Sequence, residues 1–162
     1  MDQLWAPWRL EYIESADNNH ACVFCEAASD LPPAADSLLL HRATSSVVML
    51  NKFPYAPGHL LVAPRRHCGT FGELSQDEAA EIHSLAARGI DALTAVSEPH
   101  GFNIGWNLGR TAGAGIVDHV HMHVVPRWTG DTNFMPLLAE TRVMPEHLSQ
   151  TRTKLLDAWP DA

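Results

Sequence analysis

The run His119-Val120-His121-Met122-His123-Val124-Val125 alternates imidazole with aliphatic side chains, and no other stretch constrains the fold as much. Successive side chains of an extended strand point to opposite faces. His119, His121 and His123 are therefore expected on one surface, with Val120, Met122 and Val124 packed beneath. Three adjacent imidazoles suit a purely structural strand poorly, because they repel once protonated and each buried ring needs hydrogen-bond partners. A surface strand that is merely His-rich is one reading. A metal site and a nucleophilic or acid–base histidine site are the two chemical ones.

A chain of 162 residues with 46% hydrophobic content suits one compact domain, 1–162. No window is apolar for long enough to form a membrane helix. The opening Met1–Arg9 lacks the basic-then-apolar pattern of a secretory leader. Both observations favour a cytoplasmic protein with no membrane partner. A net charge of −8 with only 11 Lys and Arg argues against binding a nucleic acid polymer. A phosphate-bearing small molecule is still compatible, since a few local donors outweigh the global sign.

Three cysteines, Cys22, Cys25 and Cys68, are too few for a disulfide scaffold. Cys22-Val23-Phe24-Cys25 has the C-x-x-C spacing shared by zinc and redox sites. A redox pair is expected at the head of a helix after a strand. Here the pair follows the polar loop Asp17–His20, and the chain soon breaks at Leu31-Pro32-Pro33, which favours zinc over redox chemistry or two unliganded buried thiols.

Strand-like stretches at Leu38–His41, Val47–Leu50 and His59–Pro64 read as a meander, the last two joined by the Pro/Gly-broken loop Asn51–Gly58. Ser75-Gln76-Asp77-Glu78 is a capping box. It opens a long amphipathic helix with Ile82, Leu85, Ala86, Gly89, Ile90, Leu93 and Val96 on one stripe, ending at Glu98-Pro99, and His83 falls on its solvated side. Gly101–Leu108 reads as a further strand, and Gly109–Gly115 as a glycine-rich loop able to bring backbone N–H groups close to phosphate oxygens. Its spacing matches neither a Walker loop nor a dinucleotide fingerprint. Pro145–Trp159 is loosely helical. The fold class is therefore α+β, an antiparallel sheet with one long amphipathic helix and a C-terminal helix.

The histidine run, the glycine-rich segment before it, Pro57-Gly58-His59-Leu60-Leu61-Val62 and the upstream Asn51 together resemble the histidine triad (HIT) superfamily of nucleotide hydrolases and transferases. The likeness extends from Cys22 to about Phe134, leaving 135–162 as a C-terminal extension. The opening Leu4–Arg9 and the segment Pro126–Phe134 resemble the bacterial branch related to diadenosine tetraphosphate phosphorylases.

The resemblance implies a role for each matching residue. His121 matches the nucleophile that attacks the α-phosphorus and forms a nucleotidyl-histidine. His123 matches the group that contacts the phosphate, and a histidine there, in place of glutamine, argues against a sugar-1-phosphate uridylyltransferase. Cys22, Cys25, His67 and His119 match a structural zinc set, with Cys68 as the rival to His67. His20 and His41 are lesser candidates, read as exposed loop and strand residues. Asn51 matches a ribose ligand and Asn107 a polar residue near the phosphates, although either can also be a turn-stabilising side chain. Gly113 and Gly115 are candidate phosphate contacts through the backbone. Where many relatives carry Ser, Thr or Gln before the triad, this chain has Gly115 and Ile116. His59 is equally compatible with a core position bonded to backbone. The implied partner is a nucleoside phosphate or dinucleoside polyphosphate, and the implied assembly a homodimer. Three alternatives are a purine nucleoside phosphoramidase, a non-catalytic nucleotide- or zinc-binding module, and a metallohydrolase with all three histidines around an open metal.

Overall fold

The computed structural model describes residues 22–34, 36–131 and 146–160. The opening Leu4–Arg9, His20, the stretch 132–134 and the expected helix start at Pro145 lie outside the described residues. Among the described residues five antiparallel strands form one sheet: β1 (Leu39–Arg42), β2 (Ser46–Leu50), β3 (Leu60–Pro64), β4 (Gly101–Trp106) and β5 (Met122–Arg127). Their spatial order is β1-β2-β3-β5-β4. The first three form the expected meander, whereas β4 runs out to the edge and β5 inserts between β3 and β4.

Period-two alternation puts opposite faces of each strand into different cores. Leu60 and Val62 of β3 and Val124 of β5 pack with the main cluster on one face, while Leu61 and Ala63 pack with Phe24, Ala28, Leu39 and Val47 on the other. The first face is covered by the long helix α2 (Gln76–Ser97). Its capping box is formed as the sequence indicates, Ser75 accepting from the Glu78 amide and Glu78 from the Ser75 amide. Ile82, Leu85, Ala86, Gly89 and Leu93 are buried and His83 is exposed. At Gly89 a Cβ would stand 2.7 Å from Leu60 Cδ1, so the missing side chain is what lets the helix approach β3. The terminal helix α3 (Leu148–Asp157) buries Leu155 in the same core.

The second face is covered by the short helix α1 (Val23–Ala28). Its last carbonyls are held by guanidinium groups from the sheet: Arg42 Nε donates to Ala27 O at 2.7 Å and Arg65 Nη2 to Ala28 O at 2.8 Å. Two rigid donors of this kind at a helix C-terminus fix where α1 lies, and so where its two cysteines hang. His41 differs from the exposed residue expected. It is half-buried, and its ring stacks on Trp159 at 5.6 Å. Among the described residues no helix is long and apolar enough to cross a membrane.

Candidate active site and metal centre

His123 lies opposite Leu61 on β3 and Gly105 on β4, on the sheet face that carries α1 rather than α2. The alternation in the sequence predicts one strand from His119 to Val125. The ladder begins only at Met122, because the preceding segment is held differently: Val120 N–H donates to Cys68 O at 2.7 Å and His119 Nε2 to Pro64 O at 2.8 Å. The three imidazoles nevertheless stay together. His121 and His123 have ring centroids 4.9 Å apart, and Phe24, fully buried, packs 4.9 Å from the His119 ring and 4.8 Å from that of His121.

At one end of the row, Cys22, Cys25, His67 and His119 each present a donor atom, all within 4.8 Å of one another. Cys22 Sγ is 3.2 Å from His119 Nδ1, Cys25 Sγ is 3.2 Å from His67 Nδ1, and Cys25 Sγ is 3.7 Å from His119 Nδ1. Bonds of about 2.0–2.3 Å to a tetrahedral zinc put neighbouring ligand atoms about 3.5 Å apart, so the spacing fits that ion. The far ring nitrogens are oriented as metal ligands require. His119 Nε2–H donates to the Pro64 carbonyl and His67 Nε2 lies 3.7 Å from Asp118 Oδ2, which turns both Nδ1 lone pairs toward the sulfurs. Burial opposes ionisation of both thiols, yet the His119 hydrogen bond brings Cys22 down to about 6, while burial and the neighbouring Cys22 sulfur push Cys25 up to about 11. A cation between the two sulfurs is what allows both to be thiolates. Cys68 is excluded from this set: it is buried, and its thiol points to Thr70 O at 3.4 Å and Glu73 Oε2 at 3.5 Å. Adjacent residues in extended chain face opposite ways, and His67 takes the cluster side.

At the other end His121 is held by backbone and His123 by a further histidine. His121 is buried, and its Nδ1 lies 2.8 Å from His119 O. A carbonyl only accepts, so the proton of the neutral ring is on Nδ1 and the lone pair on Nε2. Burial lowers the His121 pKa, the nearby His119 ring adding to the effect, and keeps the ring neutral. Burial, followed by the His121 ring, brings His123 down to about 4. His59 completes the group: it is fully buried and its Nε2 is 2.9 Å from His123 Nδ1. The core position bonded to backbone that the sequence allows for His59 is only part of its role, since it bonds to backbone and to the triad together.

Asn51 is buried, and its amide already has two protein contacts, accepting from the Phe53 amide at 2.9 Å and lying 3.3 Å from His59 Nδ1. Asn107 reaches the site through Tyr55, donating to its hydroxyl at 3.3 Å, and the Tyr55 ring stacks on His123 at 5.8 Å with an 8° tilt. Gly113 adopts φ 94°, and its amide donates to Arg110 O at 2.9 Å. That amide is therefore committed within the loop. Gly115 is buried, and Ile116 packs against the Phe24 cluster, which brings the end of the glycine loop onto the histidine face. Phe24 and Tyr55 were not singled out in the sequence. The signal for Phe24 was its place inside the C-x-x-C, and for Tyr55 its position four residues before His59 in a Pro/Gly loop.

Residues 33–130 match the HIT domain family model, and these residues carry all five strands, α2 and the histidine row. The chain belongs to the HIT domain family. It is 36% identical to the AP-4-A phosphorylase of Mycobacterium tuberculosis over 165 residues, covering 98% of this chain and 85% of that one. It is 32% identical to the adenosine 5'-monophosphoramidase hnt1 of Schizosaccharomyces pombe over 108 residues, 66% of this chain and 74% of that one. Among solved structures, a zinc-bound histidine triad family protein from Mycobacterium smegmatis superposes with a TM-score of 0.68 at 28% identity, covering 86% of this chain and 93% of that one. The α+β expectation and the zinc expectation agree with these findings.

Proposed function

We propose that this HIT protein transfers a nucleotidyl group from a dinucleoside polyphosphate, with diadenosine tetraphosphate as the leading substrate, through a covalent bond to His121. The observation that carries this reading is the 2.8 Å contact from His121 Nδ1 to the His119 carbonyl, because it puts the proton on Nδ1 and leaves the lone pair of the neutral ring on Nε2. In the first step Nε2 attacks the α-phosphorus; a P–N bond forms, the P–O bond to the rest of the polyphosphate breaks, and that fragment leaves with the electron pair. In the second step an oxygen of orthophosphate or water attacks the same phosphorus and the P–N bond breaks, returning the pair to Nε2. Orthophosphate makes the protein a phosphorylase that yields ATP and ADP. Water makes it a hydrolase that yields ATP and AMP.

His123 contacts the phosphate from Nε2. Asn51 retains one amide hydrogen and one oxygen lone pair for a ribose diol, and Asn107 approaches the phosphates beside Tyr55. Gly113 shapes the loop and Gly115 lets backbone come close to the phosphate oxygens. Zinc held by Cys22, Cys25, His67 and His119 would supply structural cross-linking of α1 to the histidine segment, with no position left open for water. The edge strand β4, paired among the described residues only with β5 and presenting exposed Asn103 and Ile104, supports a homodimer. The cytoplasm is the compartment in which such nucleotides and reduced thiols are found together.

The Schizosaccharomyces pombe relative supports a second reading, in which His121 attacks phosphorus in a purine nucleoside phosphoramidate and the P–N bond to the amine breaks. Incubation with a panel of dinucleoside polyphosphates and nucleoside phosphoramidates, with and without orthophosphate, separates the readings. The expected result is ATP and a second nucleotide from diadenosine tetraphosphate, lost by about 10³-fold or more in His121→Ala. Turnover of phosphoramidates alone would replace the leading substrate, and turnover of nothing would leave a binding module.

A further inference from the structure

Two neighbouring rings of the row have to do opposite things: one must offer a lone pair to phosphorus, and the other must face oxyanions with a proton. We propose that His59 is a positioning residue that fixes His123 as its Nε2–H tautomer, so that the ring meets the substrate phosphate as a neutral donor. The use of that donor rests on the transfer reading above, whereas the tautomer does not.

The assignment starts from a backbone amide. Tyr55 N–H donates to His59 Nδ1 at 3.0 Å. An amide N–H can only donate, so His59 Nδ1 carries no proton. Asn51 reinforces this. Its Oδ1 is held by the Phe53 amide, so the group 3.3 Å from His59 Nδ1 is the amide nitrogen, a second donor. With Nδ1 unprotonated, the proton of the buried His59 ring is on Nε2, which donates across 2.9 Å to His123 Nδ1. His123 in turn must carry its own proton on Nε2. That nitrogen is buried without a hydrogen-bond partner among the described residues, in a ring that is only 8% exposed. An orphaned buried N–H is destabilising, a cost that a ligand anion would remove.

The bracket around this relay is rigid. Asn51 N–H donates to His59 O at 2.9 Å and His59 N–H to Ala56 O at 3.1 Å, closing the loop on itself. Gly58 has φ 78°, and a Cβ there would stand 2.6 Å from Leu93 Cδ2, so the turn that aims His59 depends on that glycine. The outcome is an alternation of tautomers along the row: Nδ1–H in His121, set by the His119 carbonyl, and Nε2–H in His123, set by His59. The opposite tautomer of His123 would turn a second lone pair toward negatively charged oxygens.

Long-range proton–nitrogen correlation spectra of zinc-loaded protein labelled with ¹⁵N at histidine, recorded near neutral pH without nucleotide, read the tautomers directly. His123 is expected with Nε2 in the protonated range and Nδ1 in the unprotonated range, and His121 with the reverse. In His59→Ala both His123 nitrogens are expected to move toward averaged values while those of His121 stay in place. In His59→Gln, whose amide still donates, the wild-type pattern is expected to return. An Nδ1–H or doubly protonated His123 in the wild type would overturn the inference, as would an unchanged His123 in His59→Ala. Should His59→Ala not fold, the wild-type and His59→Gln spectra still decide. Because no nucleotide is present, a wrong tautomer sinks this inference alone, and absence of turnover in the substrate panel sinks only the transfer reading.

Discussion

The two ends of the histidine row share a chain segment and a supporting ring, Phe24, yet they are built by opposite means. At the His119 end the far nitrogen is tied to a carbonyl and the near one faces two sulfurs, so that the ring is one corner of a tetrahedron. At the His121 end the near nitrogen is tied to a carbonyl and the other remains available in a buried, neutral ring. One residue type is thus suited to be a structural ligand or, in the proposed reading, a nucleophile, according to which nitrogen the backbone occupies. In that reading the zinc end would join α1 to the row, and the other end would do the chemistry.

That division can be broken by substitutions aimed at each end. The largest effect is expected from Cys25→Ser. Removing one of four ligands should abolish about one zinc per chain by elemental analysis and lower the melting temperature by on the order of 10 °C or more, at about 2–4 °C per kcal/mol for a chain of this size. Retention of full zinc and stability would mean that the C-x-x-C is not a ligand pair. Next comes Phe24→Ala, which removes the fully buried ring under both His119 and His121. A cost of about 3–5 kcal/mol in denaturant unfolding is expected, together with losses in both zinc retention and turnover. If only one of these falls, the two ends do not share their floor.

A smaller, pH-dependent effect sharpens the comparison from the catalytic side. His123 has a pKa of about 4 in the folded chain against an ordinary 6.5, so between these values the unfolded state binds a proton that the folded state does not. Stability is therefore fully present above pH 6.5 and declines as the pH falls toward 4, by up to about 3 kcal/mol for this group. The decline, read from denaturant midpoints, should be shallower in His123→Asn. Equal slopes would show that burial of this ring does not set the acid sensitivity.

Much of this was legible in the sequence because the relevant signals are local. The capping box at Ser75, the stripe from Ile82 to Leu93 and the first three strands depend on spacing within a few residues, and their boundaries agree with the structure to within about two residues. The position of β5 between β3 and β4 is a pairing choice, which no single segment encodes. The zinc set was anticipated from resemblance, but what separates His67 from Cys68 is the direction of two adjacent side chains. The role of His59 stayed open because it is fixed by the Tyr55 amide and by a ring 64 residues away, contacts that exist only once the loop has closed. The early end of β5 at Met122 has the same origin, since Cys68 and Pro64 take the hydrogen bonds a continued strand would have used.

The most direct measurement is rapid acid-free quenching of the zinc-loaded protein during turnover of a nucleotide labelled at the α-phosphate, followed by peptide mapping. Label is expected on His121 Nε2 as an acid-labile phosphoramidate, formed and consumed at rates compatible with turnover, and absent from His121→Ala. Consumption of the nucleotide with no label on that ring at any time would contradict the claim that this imidazole bonds to phosphorus.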